Sequence, residues 1–91
     1  MRPAVIVQTD AANTNPYYPN TIIVTVSTKG KPVPFHVPVN PSGENGLKEV
    51  SFVKCEQVLT ISKDRLVRRL GSLEELHMQA VAASLRKVLE I

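Results

Sequence analysis

The stretch that decides the fold is TIIVTVST, residues 21–28. Strand side chains point alternately to the two faces of a sheet, so Ile22, Val24, Val26 and Thr28 share one face and Thr21, Ile23, Thr25 and Ser27 the other. The β-branched residues suit a pleated surface, and the KGK turn that follows ends the strand. Thr28 therefore stands in line with the apolar row. Two readings of it are open: a threonine that closes the strand, or a hydroxyl aimed into a pocket at the mouth of a small barrel.

Upstream, PAVIV (residues 3–7) is a continuous β-rich run that reads as a central strand. Between the two strands, QTDAANTNPYYPN is dense in Asn, Asp and Pro and reads as a loop, because Pro16 and Pro19 break any ladder. Downstream, FHVPV (residues 35–39) contains Pro38 and follows Pro34, which confines it to an edge or a sharply bent strand. NPSGENG (residues 40–46) is turn chemistry throughout. EVSFV and EQVLTIS (residues 49–53 and 56–62) read as one long strand, or as two separated by a bend near Lys54 and Cys55. Ser62 caps a brief turn, and VRRLG is a candidate for one more short strand.

SLEE then forms a capping box, with Ser72 at the N-cap and Glu75 at the third helical position. Leu73, Leu76, Ala80, Val81, Leu85, Val88 and Leu89 recur at helical spacings, which predicts an amphipathic helix over residues 73–89. About four to six short strands followed by one helix define a mainly β chain of α+β class. The expected architecture is a small antiparallel barrel covered by that helix, in a single domain over residues 1–91.

At 91 residues the chain buries only about 60 to 65% of its unfolded surface, so dimerisation would strengthen a thin core. No apolar run approaches the ~18 residues of a membrane span, and no signal-peptide pattern opens the sequence, so a cytoplasmic location is expected. The single Cys55 excludes an internal disulfide and a cysteine pair for zinc. Eleven Lys and Arg against eight Asp and Glu leave a net charge of +3, which permits an anionic partner without requiring one. Aromatic residues are limited to Tyr17, Tyr18, Phe35 and Phe52, so any nucleic-acid site is local rather than a wide stacking platform.

RPAVIVQTDAAN, TIIVTVST and EQVLTISKDRL, followed by a Gly-terminated segment and a capped helix, occur in the order that resembles the MazF/PemK family of toxin endoribonucleases. The resemblance covers almost the whole chain. It implies an SH3-like barrel, a homodimer, and sequence-specific cleavage of single-stranded RNA without metal or cofactor. It also implies an acidic antitoxin as protein partner. By position, Arg2 matches the catalytic arginine of the family's Arg-Pro motif, and Thr28 the catalytic hydroxyl residue that ends the second conserved strand. Asn13 matches a loop asparagine that contacts RNA, and Glu56 and Gln57 a pair near the bound bases; Ser27 and Lys29, flanking Thr28, join the expected RNA-binding set. Family members carry a first strand and a long loop with an acidic residue ahead of the Arg-Pro pair, which here follows Met1 directly. That departure motivates an alternative: a small-barrel module that binds RNA or an antitoxin peptide without cleaving.

Metal-free RNA cleavage uses the 2'-hydroxyl against the adjacent phosphate and needs charge stabilisation, a proton acceptor and a proton donor. Arg2 suits the first task, since its fork of N–H donors matches phosphate oxygens and keeps its charge. Thr28 can donate to a non-bridging oxygen or orient the 2'-hydroxyl, but neither residue is an acceptor at neutral pH. His36 alternates with apolar neighbours and reads as solvent-facing, as does His77 on the helix. RLVRR (residues 65–69) reads as a solvated basic cluster that can attract phosphate or an acidic antitoxin tail, and Cys55 as a small core filler.

Overall fold

A long, twisted pairing of two strands carries the structure, a computed structural model that describes residues 2–91. β1 (Ala4–Ile6), β2 (Asn20–Ser27), β3 (His36–Val39) and β4 (Ser51–Ser62) form one antiparallel sheet in the order β1-β2-β4-β3. A short helix α1 (Asp10–Asn13) lies between β1 and β2, a 3-10 turn (Lys63–Arg65) follows β4, and α2 (Glu75–Leu89) closes the chain. The sheet is a half-barrel with α2 packed against β4 and β3. Among the described residues no helix is long and apolar enough to cross a membrane.

The alternation along β2 sorts as its sequence requires. Val24 and Val26 join Val37, Val39, Val53, Cys55 and, from α2, Val81 in the buried core. Small β-branched side chains dominate it because a tightly curved sheet leaves little depth under the helix. The opposite face of β2 is not solvent at its N-terminal end. Thr21 is 1% exposed, and its hydroxyl donates to Asn13 Oδ1 at 2.7 Å beneath α1. Ile23 is buried on the same side.

β2 and β4 hold strict register from Asn20↔Ser62 to Val24↔Val58, then jump to Thr25↔Lys54. Cys55, Glu56 and Gln57 stand in the jump without partners on β2, a bulge that sharpens the local bend. β4 is thus one strand, bent where its two apolar runs meet. β3 lies at a sheet edge, where Pro38 withholds no donor that the ladder needs.

Several expectations change. PAVIV forms an edge strand of three residues rather than a central one, with β2 on one side and no strand on its other side among the described residues. The loop after it contains α1, which ends before Pro16. VRRLG is not a strand: its backbone packs on the turn at 40–46, where Gly46 has φ 68° and a Cβ there would stand 2.2 Å from the Leu70 carbonyl oxygen. Ser72 is not the N-cap. Its N–H bonds the Glu44 carbonyl at 2.8 Å and its hydroxyl accepts from Arg69, so helix α2 begins at Glu75 with Glu74 before it. Glu74 is drawn sideways, accepting from Ser42 Oγ at 2.5 Å and Asn45 Nδ2 at 3.1 Å. Those bonds hold its carboxyl below the ordinary value of 4.5, the Ser42 hydroxyl first. Leu76, at 74% exposed, and Leu89 lie outside the buried stripe, while Ser84 lies within it and donates to the Pro34 carbonyl.

Candidate functional site

Directly paired strand residues share a face, so the side of the sheet opposite the core can be read from register. His36 pairs with Lys54, Lys54 with Thr25, and Thr25 with Ala4, a row across all strands; Pro38, Phe52 and Ser27 form the next row. A bond from Val26 N–H to the Pro3 carbonyl at 3.3 Å continues the β1 register, which sets exposed Arg2 at the Ser27 end of β2. Ser27 Oγ accepts from Lys29 N–H at 3.0 Å, a side-chain turn that takes Thr28 out of the strand. Thr28 is therefore exposed at the apex of this turn and does not extend the buried row to the rim.

The bulge supplies the acidic group. Glu56 is exposed, and its Oε2 accepts from His36 Nε2 at 2.9 Å. The hydrogen bond from His36 is the main cause that holds the Glu56 carboxyl below its ordinary value, with the Lys54 ammonium adding to it. Gln57 Oε1 accepts from Thr25 Oγ1 at 2.5 Å. His36 is not solvent-facing: its side chain is 9% exposed. The loop at 28–35 folds back over this face, and Gly30 lies so close to the Phe52 ring that a Cβ would stand 2.0 Å from Cγ. Sequence reading missed His36, Lys54, Thr25 and Phe52 because their alignment depends on a register set by the bulge.

Asn13 stands apart from this group. It neighbours Thr21, about 20 Å along β2 from Ser27 at some 3.3 Å per residue. Its Oδ1 accepts from Gln8 Nε2 and Thr21 Oγ1, and its Nδ2 donates to the Gln8 carbonyl, which leaves one amide N–H uncommitted. The asparagine shapes its own loop. Beside β1 lies a groove of about 770 Å³ that reaches both sides of the sheet, lined by Ala4, Ile6 and Leu70 and by the core residues Val26 and Val53, with Arg68 and Arg69 at its side. His77 is half-buried on α2, and Cys55 lies in the core, its thiol pushed up by burial.

The chain is thus a bent half-barrel closed by a C-terminal helix, with a cation, hydroxyls and one anchored carboxylate on the sheet face opposite its core. Over residues 1–89 the sequence matches the PemK-like, MazF-like toxins of type II toxin–antitoxin systems, and the chain belongs to that family. Among solved structures it is similar to the Mycobacterium tuberculosis toxin MazF-mt6, at 26% identity and a TM-score of 0.86, over 99% of this chain and 87% of that one. An endoribonuclease from a mycobacterial species in complex with its cognate antitoxin matches at 24% identity and a TM-score of 0.85, over 99% of this chain and 82% of that one. The MazE–MazF complex of Deinococcus radiodurans matches at 21% identity and a TM-score of 0.81, over 99% and 83%. These last two show the shared fold.

Proposed function

We propose that the chain is a toxin that cleaves single-stranded RNA at a short sequence, through attack of the 2'-hydroxyl on the adjacent phosphate. The observation that carries the reading is the convergence of Glu56, Lys54 and Thr25 on the sheet face at whose end Arg2 and Thr28 stand. Arg2 neutralises the phosphate, Thr28 donates to a non-bridging oxygen, and the free oxygen of Glu56 accepts the 2'-hydroxyl proton. The O2'–P bond forms as the P–O5' bond breaks, and the Lys54 ammonium protonates the departing 5'-oxygen. The products are a 2',3'-cyclic phosphate and a 5'-hydroxyl. The nucleophile is part of the RNA, so the step calls for no metal or cofactor.

Ser27, Lys29 and Gln57 contact the flanking nucleotides, and the free N–H of Asn13 serves RNA beyond them. An acidic antitoxin occupies the same face, drawn by Arg68 and Arg69 beside the groove, and the chain acts as a homodimer in the cytoplasm. Mixed RNA incubated with the pure chain and chelator tests the reading. Cleavage at a common motif that falls at least about 100-fold in Arg2→Ala and in Thr28→Ala supports it. No cleavage, or cleavage indifferent to both changes, contradicts it, and tight RNA binding without product favours a barrel that binds and does not cut.

A further inference from the structure

The loop at 28–35 and the Glu56 carboxylate meet through one side chain. Lys31 N–H donates to His36 Nδ1 at 3.1 Å, while His36 Nε2 lies 2.9 Å from Glu56 Oε2. A ring nitrogen that accepts an amide N–H carries no proton, so these bonds assign His36 as the neutral tautomer with its proton on Nε2, donated to Glu56. Both ring nitrogens are therefore occupied, and His36 has no lone pair left for a substrate proton. It is not a base. The loop that it holds carries Thr28 and Lys29, and its other anchors include the Ser27 turn, the Gly30 contact with Phe52, the Pro34 carbonyl bonded by Ser84 and the Phe35 carbonyl bonded by the Cys55 N–H at 2.9 Å.

We propose that His36 is a positioning residue, a two-sided clamp that fixes the loop bearing Thr28 with one nitrogen and aims the Glu56 carboxylate with the other. The inference rests on the RNA-cleaving reading above and adds to it the device that sets donor and acceptor in one geometry. The charged side chains beside the clamp are Glu56, bonded to His36, and Lys54, paired with it across β3 and β4.

Two substitutions separate the halves of the clamp. The Oδ1 of His36→Asn takes the place of Nδ1 and keeps the loop bond, whereas the amide nitrogen of His36→Gln takes the place of Nε2 and keeps the contact with Glu56. The Lys31 amide exchange rate and the Glu56 titration, both followed by NMR, are read beside kcat and KM on an RNA that the wild type cleaves. The expected results are a protected Lys31 amide with an upward-moving Glu56 titration in His36→Asn, and fast Lys31 exchange with an unmoved Glu56 in His36→Gln. Each variant loses about 10- to 100-fold in kcat, with KM changed much less. Equal exchange and titration in wild type and both variants, or kcat within about threefold of wild type in both, overturns the clamp and leaves the cleavage reading standing. A wild type that cleaves no RNA removes the cleavage reading, and the proposal with it.

Discussion

Gly30 shows how much a single residue decides here. Its missing Cβ lets the loop rest on Phe52, so Gly30→Ala forces ring or loop to move. The expected cost is about 1–3 kcal/mol, measured as a lower urea midpoint. RNA cleavage falls with it, because Thr28 and Lys29 ride on the same loop. Little of this was legible beforehand. Alternation gave the correct side of the strand for His36 but not its partners, since Glu56 reaches it through a bulge and Lys31 through a loop, and neither has a sequence period. Thr28 was misplaced for a similar reason: the Ser27 hydroxyl captures the Lys29 amide and ends the strand one residue early.

At the scale of elements, burial along α2 separates residues that look equivalent in a helical pattern. Val81 is 1% exposed and joins the valine core, whereas Leu76 is 74% exposed. Val81→Ala is expected to cost about 1–3 kcal/mol in a chemical melt, and Leu76→Ala within about 0.5 kcal/mol if the chain is held monomeric by dilution. The helix itself was readable because its period runs for many residues. Its start was not, because Ser42 and Asn45, distant in sequence, draw Glu74 off the axis and supersede the capping box. β2 and β4 were readable from their β-branched runs, while the edge position of β1 depends on pairings that its own residues do not encode.

For the whole molecule, charge and association set two outcomes. Glu56 and Glu74 sit below their ordinary value of 4.5 in the folded chain, so their contribution to stability is complete above about pH 4.5 and is lost as the pH falls through the folded values. Cys55 is raised above 9.0, so the fold weakens as the pH climbs past 9.0, where the unfolded thiol ionises first. The urea midpoint plotted against pH is expected to show a plateau between these limits, and Glu74→Ala to flatten its acid limb. Light scattering is expected to give twice the chain mass of 10.0 kDa, as a thin valine core with exposed Leu76 and Ile91 favours pairing.

The most direct test of the central claim is mass spectrometry of the products from a short RNA that carries the mapped motif. The account predicts one upstream fragment ending in a 2',3'-cyclic phosphate and one downstream fragment with a 5'-hydroxyl, both formed in chelator and both lost in Glu56→Gln. An intact RNA, or fragments ending in a 3'-hydroxyl and a 5'-phosphate, would contradict it.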